Sequence, residues 1–435
     1  MTHNIKRRDF LKVASVSGLS AAFPAPVFVQ AQNANSKLNI ACIGLGNQGN
    51  YNLDNVKGEN IVALCDVDEN ALGKVKEQFP SAKLFRDFRK MYDEIEKEFD
   101  AVVVSTPDHS HAVASIMGMK LGKHCYCEKP LAHNVKEIRD MMAIAREKGL
   151  ATQMGTQIHA GENYRRTVEL VRAGAVGTIR EVHVWCSSRQ GGRTFATDTP
   201  PVPAHINWDL WLGPASERPY HPQYFGAWRC YWAFGNGTIG DMACHYMDLP
   251  FWALFLQLPT TVEAFCATAP QPETTPAQLR AEFTFAARQI RTGSRPAVTL
   301  NWYDGGLRPT ALIEEKGLPN WNNGVLFIGE EGLLLADYNR RMLLPQDKFA
   351  DYQAPAQTIP NSVGHHQEWI NACKTGSPTT CNFNYSGPLA ETVLLGAAAF
   401  RTGKKLEWDT ANMRATNAPE ADQYLSCTYR KGWEV

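Results

Sequence analysis

Three side chains have the types that acid–base chemistry needs: Lys129, Asp241 and His245. Asp241 and His245 are four residues apart, so on a helix they share one face. A carboxylate beside an imidazole orients the ring and tunes it for proton transfer near neutral pH. Helix capping plus a buried histidine would use the same two residue types. Lys129 stands in Glu128-Lys129-Pro130, directly after the strand-like run His124-Cys-Tyr-Cys127. A second group of residues is suited to holding a ligand. Gly44-Leu-Gly46-Asn47-Gln48-Gly49 ends the apolar run from Asn39 and opens a helix. In a strand–turn–helix, Gly44 allows the tight turn, Gly46 lets backbone approach a pyrophosphate, and Gly49 lets helix pack close to strand. The free N–H groups of that helix start, at Asn47 and Gln48, attract the anion. Asp66 follows the next apolar run, Asn60-Ile-Val-Ala-Leu-Cys65, at the distance where an acid binds a ribose diol. A carboxylate there would repel a 2′-phosphate, so the expected dinucleotide is NAD, with NADP disfavoured.

The elements that must position these residues alternate. Helices are expected over 69–79, 86–98, 109–121 and 134–148, and strands over 84–85, 101–105, 124–127 and 151–154. Strands alternating with helices of this length give a parallel, doubly wound sheet, assigned to residues 32–158. Ligands bind beyond the carboxyl ends of such strands. Those ends carry Gly44 to Gly49, Asp66, Thr106-Pro107-Asp108-His109, Glu128-Lys129-Pro130 and Gln153 to Gln157.

With these motifs in this order, the chain closely resembles the Gfo/Idh/MocA oxidoreductases, the relatives of glucose–fructose oxidoreductase and inositol dehydrogenase. The resemblance runs from about Lys37 to the C-terminus, more loosely in the second half. It implies that Thr106, Pro107, His109, Glu128, Lys129 and Gln157 line the cofactor, and that the Glu-Lys-Pro proline is often cis. It also implies that the Gly-rich turn and Asp241-x-x-x-His245 helix face the nicotinamide near Lys129. Asp241, Cys244, His245 and Asp248 also have side chains of metal-ligating types. The family uses that helical face without metal, and none is expected.

Residues 159–435 form a second domain with an expected helix over 161–173 and a strand over 178–185. A Trp- and Pro-rich excursion from Ser187 to Tyr231 follows. Its aromatics suit either a loop core or a sugar site, and Trp228 and Arg229 are taken as substrate contacts beside Lys129, Asp241 and His245. Strands over 262–267, 279–285 and 297–303 and a hairpin about Gly329 to Gly332 suit a large, mostly antiparallel open sheet. In the family a second subunit often covers that sheet, so a homo-oligomer, dimer or tetramer, is expected by resemblance. His365-His366 reads as a helix start that returns toward the cleft. Residues 387–401 read as a structural Ala/Leu-rich helix.

The 44 basic and 44 acidic residues balance, which gives no electrostatic footprint for nucleic acid. No stretch after the N-terminus is apolar enough for an integral membrane domain. At the N-terminus, Lys6-Arg7-Arg8-Asp-Phe-Leu-Lys12, a short apolar core and Val29-Gln-Ala31 read as a twin-arginine-type signal over residues 1–31. Export to the periplasm is expected, with membrane anchoring if the signal is kept. The 11 cysteines read as buried small hydrophobes. Cys125 and Cys127, one residue apart in a strand, are expected on opposite faces.

These residues suit hydride chemistry on a small sugar or glycoside. A base takes a hydroxyl proton while hydride leaves the carbon, and a cation steadies the alkoxide. Lys129 and His245 are both candidates for the base. Because free NAD is scarce outside the cytosol, a tightly bound, internally regenerated NAD is expected. One alternative is a redox-neutral glycoside hydrolase working through a transient keto-sugar, as in some exported relatives. Another is a non-catalytic sugar- or nucleotide-binding protein, against which Lys129, Asp241 and His245 all being present weighs.

Overall fold

The computed structural model describes residues 36–435 except 196, 291 and 292, so the signal predicted over 1–31 lies outside the described residues. The first layer is a parallel sheet built from β1 (Asn39–Ile43), β2 (Asn60–Cys65), β3 (Lys83–Phe85), β4 (Ala101–Val104), β5 (His124–Cys127) and β6 (Thr152–Met154). Its strand order is β3-β2-β1-β4-β5-β6. The helices between them are α1 (Asn47–Val56), α2 (Glu69–Lys76), α3 (Phe88–Ile95), α4 (Asp108–Lys120) and α5 (Val135–Lys148). β4 and β5 are buried along their whole length, as strands covered by helices on both faces must be. Local chemistry sets the helix ends. Asn134 and Glu137 form a reciprocal capping box at the start of α5, and Gly149 closes it in the left-handed region.

One expectation fails here. Cys125 and Cys127 lie in the same core cluster, while Tyr126 belongs to the cluster on the other face. The side-chain period of a strand is two, so residues i and i+2 share a face. Burial pushes the Cys125 thiol up to about 12, which leaves it an inert small hydrophobe.

The second layer begins with α6 (Glu162–Arg172) and β7 (Ile179–Trp185). The aromatic excursion carries short helices α7 (Trp208–Leu212) and α8 (Pro222–Gly226), and then come α9 (Gly237–Tyr246) and α10 (Asp248–Ala253). The sheet continues through β8 (Thr261–Phe265) and β9 (Arg280–Phe285). A two-stranded ribbon, β10 (Arg288–Ile290) and β11 (Gly293–Arg295), precedes β12 (Val298–Tyr303) and α11 (Thr310–Glu315). β13 (Gly324–Gly329) and β14 (Leu333–Ala336) form the expected hairpin, pairing Ile328 with Leu333. After β15 (Arg341–Leu344) come α12 (His365–Thr375), α13 (Phe383–Thr402), β16 (Leu406–Asp409) and β17 (Arg414–Ala415). The resulting nine-stranded sheet runs β15-β14-β13-β7-β12-β9-β8-β16-β17. Only β7 and β12 pair in parallel in it, so the sheet is mostly antiparallel.

The two layers are tied by helices from the far end of the chain. α13 packs on α5, α9 and β8. α12 leaves the second sheet altogether and lies against α1, where Trp369, Ile370 and Cys373 complete one face of the parallel sheet. No helix among the described residues is long and apolar enough to cross a membrane.

Candidate active site

A cavity of about 610 Å³ opens at the carboxyl ends of β1, β2, β4 and β5 and runs to the aromatic excursion. This is where the strand order of the parallel sheet reverses. The glycine loop fits a dinucleotide there. Gly44 has φ +83°, and a Cβ on it would meet the Ser105 carbonyl oxygen at 2.6 Å. A Cβ on Gly49 would strike the Gly44 carbonyl oxygen at 2.0 Å, so Gly49 is needed for packing and does not line the cavity. A Cβ on Gly46 would meet nothing within 4 Å, so the backbone there is open to the cavity. No side chain caps α1, whose N-terminal N–H groups stay available to an anion. At the ribose end, Asp66 accepts N–H bonds from Leu45 (2.6 Å) and Asp68 (2.9 Å). Desolvation nonetheless pushes Asp66 up to about 6, so at neutral pH it is mostly a carboxylate. Arg86 lines the same end, but its terminal amines are taken by Glu69 and by the carbonyls of Val67 and His205.

Next to the loop, Glu128 Oε1 accepts from three amides: Gln48 (3.1 Å), Asn52 (2.9 Å) and Gln157 (2.8 Å). A Cβ on Gly155 would come 2.5 Å from this carboxylate, so a glycine makes the room. The knot fixes the residue before Lys129, and the Lys129–Pro130 bond is cis. Lys129 Nζ then reaches across to α9. It donates to the Asp241 carboxylate at 2.6 Å and to the Asp241 carbonyl at 2.8 Å. Arg229 Nε donates to the same carboxylate oxygen at 2.8 Å. Burial alone would raise Asp241. Lys129 and Arg229 outweigh it and hold the carboxyl down to about 2. His245, one helical turn along, is lowered to about 3 by desolvation and by the Lys129 charge. The site therefore holds a carboxylate, two cations and a neutral imidazole.

A second carboxyl lies among them. Asp108, at the start of α4, is 2% exposed and lines the cavity near Lys129, Arg229 and Asp241. Desolvation raises it to about 8 against the pull of both cations, so it is mostly protonated at neutral pH. The far wall is apolar, made by Trp211, Phe225 and Trp228, with the Arg229 guanidinium carbon 4.1 Å over the Trp228 ring.

Residues 38–156 match the model of an oxidoreductase family's NAD-binding Rossmann fold, and residues 182–280 match that family's C-terminal alpha/beta domain. The chain belongs to the Gfo/Idh/MocA oxidoreductase family. It is similar to the myo-inositol 2-dehydrogenase of Thermotoga maritima, 27% identical over 143 residues, which are 32% of this chain and 42% of that protein. It is also similar to the alpha-N-acetylgalactosaminidase of Shewanella oneidensis, 26% identical over 205 residues, 41% of this chain and 45% of that one. The chain thus spans less than half the length of these curated relatives. Among solved structures, the WlbA dehydrogenase of Chromobacterium violaceum in complex with NADH and UDP-GlcNAcA shares the fold. Its TM-score is 0.60 at 17% identity, over 88% of this chain and 99% of that one.

Within this Gfo/Idh/MocA cavity lie Gly44, Gly46, Asn47, Gln48, Asp66, Thr106, Pro107, Glu128, Lys129, Gln157, Trp228, Arg229, Asp241 and His245. His109 does not join them. Its ring is buried between Trp211 and Phe234, with Nε2 on the Trp211 carbonyl at 3.0 Å. His111 takes the place expected of it, lining the cavity and bridging the carbonyls of Pro130 (2.8 Å) and Thr106 (2.8 Å). α4 is buried nearly all round, so no amphipathic stripe marks which histidine faces the cleft. Asp108, Trp211 and Phe225 also line the cavity, Asp108 from within the Thr106-Pro107-Asp108-His109 run, where no sequence signal sets it apart. His365 and His366 stay behind the site: His366 Nε2 pairs with Asn52, and His365 Nε2 with the Met154 carbonyl. Asp248 turns away from Asp241 to His159 and Tyr385.

Proposed function

We propose that this protein is an NAD-dependent oxidoreductase acting on the hydroxyl-bearing carbon of a sugar or sugar derivative. The reading rests on one observation: Lys129, clamped to Asp241, shares a single cavity with the glycine loop, and His245 stands one helical turn away. NAD, when bound, supplies the hydride acceptor. The chain's own residues hold the substrate oxygen. Lys129 Nζ has three N–H donors and spends two on Asp241. The third is left for that oxygen, and the fixed positive charge stabilises it as an alkoxide forms. His245, kept neutral, accepts the hydroxyl hydrogen bond along which the proton leaves. The aromatic wall packs the apolar face of a ring.

A second reading is favoured by Asp108 and by the likeness to an alpha-N-acetylgalactosaminidase. In it, a ring hydroxyl is oxidised to a ketone, the acidified neighbouring C–H is lost, the aglycone is eliminated, water adds and the ketone is reduced. Such a site needs an acid for the leaving oxygen, and a protonated Asp108 would supply it.

The basic start Lys6-Arg7-Arg8 and the short apolar core behind it support twin-arginine export to the periplasm. A folded passenger carries its nucleotide with it, so the NAD is resident and is regenerated in each turnover. A homo-oligomer formed through the large sheet completes the proposal. Denaturing the purified protein should release NAD. Intact enzyme without added nucleotide is then given sugars and aryl glycosides. Reversible reduction of the bound NAD supports the oxidoreductase, and glycoside cleavage with no net NADH supports the hydrolase. Neither reaction, with wild type and Lys129→Ala alike, favours a binding protein. Retention of an Arg7→Lys/Arg8→Lys variant in the cytosol tests export, and light scattering tests assembly.

A further inference from the structure

The Arg229 guanidinium is only half used. Nε donates to Asp241 at 2.8 Å, and the plane is pinned against Trp228 with its carbon 4.1 Å from the ring. The two terminal amines have no hydrogen-bond partner among the described residues, and the side chain is 31% exposed on the cavity. The backbone beneath is fixed, since a Cβ on Gly235 would meet Arg229 Cα at 2.9 Å and the Trp228 ring at 3.0 Å. A guanidinium held rigid by one edge presents the other edge as a preformed fork, which matches a carboxylate bidentately. The charge count points the same way. Lys129 and Arg229 share one carboxylate, Asp241, because Asp108 keeps its proton. Among the described residues Asp241 is the one carboxylate that Arg229 pairs with.

We infer that the substrate is an acidic sugar, a pyranose or cyclitol carrying a carboxylate, and that this carboxylate pairs with the terminal amines of Arg229. The inference rests on the function proposed above and deepens it. The apolar wall takes the ring face, Lys129 takes the reacting hydroxyl, and Arg229 sets the substrate's register between them. A hydrogen bond to a charged group contributes more than a neutral one, and an unpaired buried charge is costly. An acid should therefore be preferred over its neutral counterpart by roughly 10- to 100-fold in kcat/KM.

The test uses the intact protein with its nucleotide. NADH absorbance is followed with paired compounds: D-glucose and D-glucuronate, D-galactose and D-galacturonate, myo-inositol and its carboxylate analogue, with glucose 6-phosphate as a separate arm. Binding of each is also read from tryptophan fluorescence. The expected result is that the acids lead their neutral partners, mainly through KM. Arg229→Gln should erase that lead, and Arg229→Lys should keep part of it. Equal or better use of neutral sugars by wild type overturns the inference and leaves the oxidoreductase reading standing. So does preference for the phosphate over every carboxylate. If nothing in the panel binds or reduces the nucleotide, the function itself is wrong and the inference falls with it. Should Arg229→Gln fail to fold, the wild-type ratios still decide.

Discussion

Replacing Asp241 with asparagine should destabilise the protein by an amount the geometry sets. Asp241 is the shared acceptor of Lys129 at 2.6 Å and Arg229 at 2.8 Å, and the side chains of Asp241 and Lys129 are only 9% and 10% exposed. Breaking a buried pair by removing one partner costs ~3–5 kcal/mol, because the other charge is left uncompensated. An amide oxygen still accepts one hydrogen bond and Arg229 is partly screened, so the low end, about 3 kcal/mol, is expected. Unfolding entropy of about 2.1 cal/mol/K per residue makes ~1 °C per kcal/mol for a chain of 435 residues. Differential scanning fluorimetry should then show Asp241→Asn melting ~3 °C below wild type, and further below if the two bodies melt separately. The pH dependence is the sharper check. The Asp241 carboxyl is held down to about 2, so its stabilisation is complete above the ordinary carboxylate range and is lost only as pH falls through that range toward 2. The gap between wild type and variant should close below pH ~4, and should narrow toward pH ~8 because the Asp241 charge helps to keep Asp108 protonated. A variant within ~1 °C of wild type at neutral pH, or a gap that stays open below pH ~3, would refute the argument.

Lys129→Ala should retain NAD through gel filtration yet lose roughly 10²–10⁴-fold in kcat, since the proposed role of the ammonium is to hold the reacting oxygen and not the glycine loop. Steady-state kinetics with nucleotide released on denaturation checks both halves. For Asp108 the sign is opposite to that of Asp241. Its folded value, raised to about 8, means the fold keeps a proton that the unfolded chain has released above about 4. Wild type should therefore lose stability as pH rises across that window. Asp108→Asn lacks this share of the loss, so the melting difference between them should grow in the variant's favour from pH ~5 to ~8. Gly155→Ala should push the Glu128 carboxylate off its three amides, costing ~1–3 kcal/mol and lowering the NAD content per chain, measured by chromatography of the released nucleotide.

The sequence reveals the parallel half of this fold more readily than its closure. Runs such as Ala101–Val104 are apolar throughout, and only a strand covered on both faces needs that. The β13–β14 hairpin is likewise written locally, in apolar runs either side of Gly329 to Gly332. What a local pattern cannot carry is where a helix docks. α12 reads as any amphipathic helix, yet Trp369 at its middle is fully buried against the first sheet. That docking depends on shape complementarity with α1, more than 300 residues away in sequence, as the bond from His366 to Asn52 (|i−j| 314) illustrates.

The same division runs through the site. Gly44, Gly46 and Asp66 were legible because each belongs to a short motif with a backbone or charge requirement of its own, whereas Lys129, Asp241 and His245 were placed by the family resemblance. Asp108 has no such requirement. As a residue at a helix N-terminus it looks like an ordinary dipole-stabilised acid, for which a lowered pKa would be expected. Its raised value comes from burial, which only the assembled cavity reveals. Asp108 and Asp241 show this most clearly. Both carboxyls lie among the same two cations, but Asp241 takes direct hydrogen bonds from both and stays ionised. Asp108 receives only their more distant field, and desolvation wins. One site thus holds one carboxylate and one carboxylic acid at the same pH. That is the arrangement in which neighbouring groups divide acid and base work, and it arises from a few tenths of a nanometre in placement that neither residue's neighbours in sequence encode.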